Sequence, residues 1–352
     1  MKDALFDFIL KEWLLLASGT GFLLTSIYTG HPPVPSPREM QVLFILFVLF
    51  IAVKGLQQSG IISRFARSIE KGRGVPLKLI VTTFFLSMVV TNDIALLVIV
   101  PLTLALNIDR RGLLVILEAL AANAGSALTP FGNPQNLYIY WFYNLSPAEF
   151  ITSIAPFSLM ILFPVILSLT IHLQATPEST EAMHNTARSS VHGILLIIVL
   201  LSVLHILPIR ASGIVVVYAL LFDREALHVD YFLLFSFFFF FGLAENLKIL
   251  MASEIKHAGH VFLFSALASQ IMSNVPSTLL FAKFTSNWKA LLWGTNVGGF
   301  GSIFGSLANM IAYKLYITDE NTNDTASFTA LFLIMGYIAF FAAAGLYITT
   351  KA

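Results

Sequence analysis

The chain has 352 residues and no cysteine, which excludes disulfides, thiol catalysis and cysteine-based metal sites. Charge is almost as scarce, with Asp, Glu, Lys and Arg making up 11% of residues, against roughly 25% in an average soluble domain. The net charge of +1 singles out no partner, because the charges are sorted by loop and not pooled on a surface; no nucleic-acid partner is expected. Hydrolase signatures are also missing. There is no HExxH or Gly-x-Ser-x-Gly, and His205 has no sequence partner for a nucleophile–base or metal constellation, so an embedded enzyme is not expected. His257 and His260 have helical spacing but no nearby third ligand, and read as a loop feature. Asp3, Asp7, Lys11 and Glu12 interrupt the N-terminus and no small-residue cleavage site follows, so the first apolar run is expected to be a retained helix.

What is present is apolar. Hydrophobic residues make up 57% of the chain and mean hydropathy is +0.83. Stretches such as Met40–Val53, Ile194–Leu207 and Tyr231–Gly242 are too apolar to leave in water. The expected class is an all-α polytopic membrane protein. Helices are predicted over Trp13–Tyr28 and Met40–Gln57, followed by the densest basic cluster, Arg64, Arg67, Lys71, Arg73 and Lys78, which marks a cytoplasmic loop.

Leu77–Asn107 is a long, mostly apolar run. A single helix of that length would reach about 46 Å, against a hydrocarbon core of about 30 Å. Basic residues flank both ends and Thr91-Asn92-Asp93 sits at the centre, so the run predicts a re-entrant hairpin (76–108) entering from the cytoplasm. Gly112–Tyr140 carries Gly125, Pro130, Gly132 and Pro134 and must be a broken helix (111–141). Glu149–Leu173 follows as a helix, Gln174–Ser190 as a polar loop, and Val191–Leu207 and Ala211–Phe222 as two further helices. Tyr231–Leu247 precedes a second hairpin (257–286), with Ser273-Asn274 at its tip, and a second broken helix (288–316). Phe328–Thr349 is the last helix. The division is an N-terminal repeat over 1–175, a loop and connector helix over 176–209, and an inverted C-terminal repeat over 210–352. That gives nine crossings and two hairpins, with the N-terminus cytoplasmic and the C-terminus outside.

The polar residues inside these spans recur. Asn123, Gly125, Gly132 and Asn136 of the first broken helix return as Asn296, Gly298, Gly305 and Asn309, and the tips read Thr91-Asn92-Asp93 and Ser273-Asn274-Val275. Breaking a helix at bilayer depth exposes N–H groups that attract anions and carbonyls that attract cations. Candidate substrate ligands are therefore Asn92, Thr91, Asn133, Thr129, Gly132, Asn274, Ser273, Ser302 and Gly305. Candidate ion-binding or coupling residues are Asp93, Asn123, Gly125, Asn296, Gly298 and Glu118. Asp93 leads this group, because a carboxylate at depth is costly and by default functional; its competing role is a helix N-cap. Glu118 is either a second proton site or paired with a basic residue, while Lys283, Glu245, Lys248 and Lys54 read as interfacial.

These motifs, above all Val90-Thr-Asn-Asp93 with the run to Pro101-Leu-Thr103, and Thr129-Pro-Phe-Gly-Asn-Pro-Gln-Asn136, resemble the ion-transporter superfamily in its ArsB/NhaD-type permease branch, related to citrate and divalent-anion/sodium symporters. The resemblance implies an elevator-type secondary transporter in the cell membrane, usually a homodimer, with no cofactor beyond Na⁺ as a coupling ion. Divalent-anion relatives carry Ser-Asn-Thr at both tips, and the departure here argues against a dicarboxylate. No Arg is placed at depth to clamp one. The favoured reading is a carrier of a small anion, an oxyanion or small carboxylate, coupled to Na⁺ or H⁺. The alternative is a Na⁺/H⁺ antiporter of the NhaD type, and an anion channel ranks below both.

Overall fold

The computed structural model describes residues 12–30, 32–62, 74–171, 173–175, 186–251, 258–319, 322 and 325–350. Most of the basic cluster, Arg64 to Arg73, lies outside these residues, as does His257. Helix α1 (Trp13–Thr29) ends on Gly30 at φ 67°. Helix α2 (Pro37–Gln58) starts from a capping box, in which Ser36 accepts from the Glu39 N–H and Glu39 Oε2 accepts from the Ser36 N–H at 2.7 Å.

The first long apolar run divides where its polar triplet sits. Helices α3 (Val75–Val90) and α4 (Asn92–Ala105) are separated by Thr91 alone, at φ 78° and ψ 154°. The first broken helix consists of α5 (Arg111–Ser126) and α6 (Pro134–Phe142), with the Pro- and Gly-rich segment between them non-helical. Later in the chain the pattern returns. Helices α12 (Ala258–Met272) and α13 (Asn274–Ala282) flank Ser273 at φ 73° and ψ 157°. Then α14 (Trp288–Gly298), a 3₁₀ turn (Ile303–Gly305) and α15 (Leu307–Ile317) form the second broken unit. Side chains with positive φ are uncommon and cost of order 1–3 kcal/mol. Finding nearly identical angles at Thr91 and Ser273 shows that both tips turn in the same way.

Three segments differ from expectation. The helix predicted over Glu149–Leu173 is α7 (Pro147–Ile154), a 3₁₀ stretch (Ala155–Ile161) and α8 (Leu162–Ser168). Pro156 has no N–H to continue the ladder, and the chain tightens there. Leu173 belongs to a short strand, β2 (Leu173–Ala175), paired antiparallel with β1 (Asn107–Ile108), so neither Leu173 nor Asn107 is helical. Helix α9 (Thr186–Val203) begins inside the expected polar loop, because polar residues do not by themselves end a helix. The remaining helices are α10 (Ile214–Phe222, after a 3₁₀ turn at Ile209–Gly213), α11 (Tyr231–Met251) and α16 (Thr325–Thr350). Among the described residues, four spans have the length and composition to cross a membrane: Pro37–Gln58, Pro147–Ser168, Arg224–Ile249 and Thr325–Thr350.

The helices sort into two packed groups. In one, α2 packs on α9, α10 and α11, and α11 on α1. The other joins α3, α4 and α5 with α8, α15 and α16, and α12 with α13 and α14. They meet where α2 packs on α6 and α11 on α13. Polar contacts also fix which helix ends share a face. The start of α9 meets the end of α10 through His192–Asp223 at 2.9 Å, and the start of α5 meets the end of α15 through Arg111–Asp319 at 3.9 Å. On the opposite ends, Arg38 at the start of α2 donates to the Phe142 carbonyl at 3.0 Å, and Tyr140 Oη lies 3.1 Å from His205 Nδ1. Helices α9 and α10 are therefore an antiparallel pair and not one merged span.

A close backbone approach joins α16 to the second broken unit. The Gly301 N–H donates to the Gly336 carbonyl at 3.0 Å, and a Cβ on Gly336 would stand 2.2 Å from the Gly301 carbonyl oxygen. Gly336→Ala is expected to destabilise by about 1–3 kcal/mol. A Cβ on Gly345, one helix face away, meets nothing within 4 Å, and Gly345→Ala is expected to be neutral. Thermal unfolding of the two purified variants in one detergent checks the contrast.

Candidate functional site

Between the two helix groups lies a cavity of about 110 Å³. One group contributes Glu12, Asp230, Leu233 and Ser236 to its wall; the other contributes Asn92 and Asp93, Asn133 and Pro134, Ser273 to Pro276, Leu307 and Met310. Four helix N-termini therefore converge here, those of α4, α6, α13 and α15. Each carries partial positive charge from N–H groups that have no partner within the helix. The residues preceding three of them, Thr91, Asn133 and Ser273, make no side-chain cap hydrogen bond. Helix α15 is capped by Ser306 accepting from the Asn309 N–H at 3.1 Å. At α4 the Asn92 N–H donates to the Gly132 carbonyl at 3.2 Å and the Asp93 N–H to Asn92 Oδ1 at 2.9 Å, so the ends left without a cap are those of α6 and α13.

The carbonyl ends of the same breaks are treated in the opposite way. Asn136 Nδ2 donates to the Ser126 carbonyl at 3.0 Å and lies 3.4 Å from those of Ala127 and Thr129. Its counterpart Asn309 donates to the carbonyls of Gly299 at 3.0 Å and Ser302 at 2.9 Å. The amide oxygens of these two residues then receive hydrogen bonds from the other half. Asn123 Nδ2 donates to Asn309 Oδ1 at 2.7 Å, and Asn296 Nδ2 donates to Asn136 Oδ1 at 2.9 Å. The two bonds are the same contact made twice, once in each direction across the halves.

The hairpin tips are fastened by an equivalent pair. Thr129 Oγ1 donates to the Met88 carbonyl at 2.7 Å, and Ser302 Oγ donates to the Gln270 carbonyl at 2.8 Å. Gly125 and Gly298 let the arms close in. A Cβ on the first would stand 2.1 Å from the Phe84 carbonyl oxygen, and on the second 2.4 Å from Ser269 Cβ. Beyond this frame the halves diverge. Asn92 Nδ2 donates to Asn123 Oδ1 at 3.1 Å. On the other side Gln270 donates to the Gly298 carbonyl at 2.9 Å and accepts from the Ser302 N–H at 2.8 Å, where Met88 offers no such groups.

The structure thus brings five of the sequence-derived candidates to the cavity wall: Asn92, Asp93, Asn133, Ser273 and Asn274. Thr91, Thr129, Gly132, Ser302 and Gly305 lie behind it, in the turns and fasteners. Asn123, Gly125, Asn296 and Gly298 form the cross-half amide frame and its close contacts. Glu118 is fully buried away from the cavity; Thr103 Oγ1 donates to one of its oxygens, and no ion pair with a basic residue forms among the described residues. Lys283 and Glu245, read from sequence as interfacial, instead meet each other at 3.0 Å. Sequence reasoning missed Asp230 and Glu12 at the cavity and Gln270 behind it. Asp230 accepts from the Leu233 N–H at 2.8 Å, so from sequence it is indistinguishable from any helix cap. Among the described residues no group of three or more His, Asp or Glu side chains could hold a metal.

Residues 8–295 match the family model described as citrate transporter. The chain belongs to that family. It lies within the ion-transporter superfamily that the motifs resemble. An uncharacterized transporter of Methanocaldococcus jannaschii is 33% identical over 294 residues, covering 79% of this chain and 81% of its own. The inner membrane protein YbiR of Escherichia coli is 32% identical over 314 residues, covering 80% and 81%. The silicon efflux transporter LSI3 of Oryza sativa is 30% identical over 126 residues, 34% of this chain and 26% of the relative. The family and the relatives from Methanocaldococcus jannaschii and Oryza sativa are named as transporters, and this transporter is a multi-pass membrane protein.

The amide frame generates a thermodynamic expectation. Asn136→Ala and Asn296→Ala each remove one side of a buried bond, so the double variant should lose less stability than the sum of the singles, by about 0.5–3 kcal/mol. Asn296→Ala combined with Asn123→Ala, which share no bond, should be closer to additive. Thermal unfolding of the singles and doubles measures both cycles.

Proposed function

We propose that the transporter is a secondary active carrier of a small oxygen-rich solute of low charge, an oxyacid or small carboxylate, exchanged or cotransported with H⁺ or Na⁺. The observation that carries this reading is the division of the broken-helix ends. The carbonyls are occupied by Asn136 and Asn309, while four helix N-termini, two of them uncapped, line the cavity. Open N–H groups call for oxygen acceptors on the solute. Among the described residues no Lys, Arg or His lines the cavity, so helix dipoles and amides balance the solute's charge there, which favours at most a single negative charge over a citrate-like trianion. That also suits the silicon efflux named for the rice relative, since silicic acid is uncharged in neutral water.

Asp93 and Asp230 supply the cation side. They belong to opposite helix groups and line the same cavity, and two carboxylates facing one space favour taking up a proton or Na⁺ between them. The same pair supports the second reading, Na⁺/H⁺ antiport.

Alternating access follows from the two groups. The hairpins and broken helices form one body, and α1, α2, α9, α10 and α11 form the scaffold on which it slides by an elevator movement, in an inverted repeat of nine crossings and two re-entrant hairpins. The shared local geometry of Thr91 and Ser273, the paired amide bonds, and the sorting of helix ends onto two faces all support that arrangement. The N-terminus is cytoplasmic and the C-terminus outside, the location is the cell membrane, and the working unit is a homodimer by resemblance to the superfamily.

Asn92→Ala, Asn274→Ala and Asp93→Asn are each expected to abolish solute flux in proteoliposomes while eluting as folded protein; normal flux in all three sinks the site. For the solute, purified protein is heated with citrate, silicate, acetate or phosphate, with and without Na⁺. A ligand present at a hundred times its Kd stabilises by about 2.7 kcal/mol, so silicate or acetate should raise the transition and citrate should not.

A further inference from the structure

On the far side of the hairpin from the cavity, Lys283 closes α13 against the scaffold. Its ammonium donates to Glu245 Oε2 and to the Phe241 carbonyl, each at 3.0 Å, and pairs as an ion with Glu39 Oε1 at 2.7 Å. None of these belongs to the hairpin. The side chains of Lys283 and Glu39 are nearly buried, while Glu245 is 42% exposed. Glu39 is held from behind, because its second carboxyl oxygen accepts from the Ser36 N–H in the capping box that starts α2. Three neighbouring bonds tie the end of α6 into the same corner. Tyr143 Oη donates to the carbonyls of Ala282 at 2.8 Å and Thr285 at 2.9 Å, and Arg38 holds the Phe142 carbonyl. Around the corner is an open vestibule lined by Ser36, Glu39, Glu245, Lys248, Lys283 and Thr285.

We propose that Lys283, with Glu39 and Glu245, is a latch that holds the second hairpin to the scaffold in the conformation described here, with the vestibule shut off from the cavity. The inference rests on the elevator reading and adds to it what locks one end state. Sliding the hairpin carries Lys283 off all three partners at once. A buried carboxylate, Glu39, is then left with its charge uncompensated, which strongly disfavours release until water enters from the vestibule. The latch therefore sets how often the hairpin tip becomes reachable from the vestibule side.

The absence of cysteine in the natural chain allows a test that needs no knowledge of the solute. Val275 lies at the tip and lines the cavity, so Val275→Cys places a single thiol there. The probe is a membrane-impermeant maleimide applied to proteoliposomes from the face that carries Lys283. Adding Lys283→Met or Glu39→Gln should raise the labelling rate from that face at least tenfold; Gln still serves the capping box, so α2 keeps its start. The charge-swapped pair Lys283→Glu with Glu39→Lys should return the rate toward that of Val275→Cys alone, which general loosening of the fold would not do. The latch is overturned if the thiol reacts from both faces in turn but neither single variant changes the rate by more than twofold. The elevator reading fails, and the latch with it, if the thiol never reacts from the Lys283 face in any variant and the parent protein shows no flux.

Discussion

At bilayer depth every backbone polar group needs a partner, and a helix broken there exposes N–H groups on one stump and carbonyls on the other. The arrangement of the transporter follows from how the two kinds of end are satisfied. Two asparagines, Asn136 and Asn309, turn back onto the carbonyl stumps and satisfy them within the protein. Among the described residues no side chain caps the N–H ends at Asn133 and Ser273. These ends reach one cavity, and in the proposed function a solute that supplies oxygen atoms completes them. Binding is thus what remains of a backbone requirement once the protein has met the other part of it.

The amides that satisfy the carbonyls also hold the halves together. Asn123 reaches Asn309 and Asn296 reaches Asn136, so each half supplies the staple for its own break and the donor that orients the staple of the other. Disturbing one half therefore reaches the other through these two buried bonds. Charge does not follow this symmetry. Asp93 at one tip is matched by Val275 at the other, and the scaffold adds Asp230 and Glu12 to the same wall. The frame is paired and the carboxylates of the wall are not.

Much of this was legible in the sequence because the signals are local. Thr91-Asn92-Asp93 in the middle of an apolar run too long for one crossing marks the hairpin tip, and the chain turns at Thr91. The Pro- and Gly-rich segment from Thr129 to Pro134 marks the break, and helix is absent from Thr129 to Asn133. The recurring Asn and Gly positions were visible too, but not the division of labour among them. Spacing alone cannot say whether Asn123 faces an ion or Asn309, since that depends on how the halves dock. Lys283 shows the same limit: its partners come from α2 and α11, far away in sequence, so an interfacial lysine and a buried latch look alike beforehand. Asp230 reads as an ordinary cap, and only the packing of α11 beside α13 brings it to the cavity.

The central claim is that tips from both halves meet around one solute site. It is tested most directly by Asp93→Cys with Val275→Cys in this cysteine-free chain, treated with a short bifunctional maleimide in membranes. Cross-linking within the single chain is expected, detectable as a changed proteolytic pattern, and a solute that stabilises the unmodified protein should slow it. Failure to cross-link, while each thiol alone reacts with a monofunctional maleimide, contradicts the shared site.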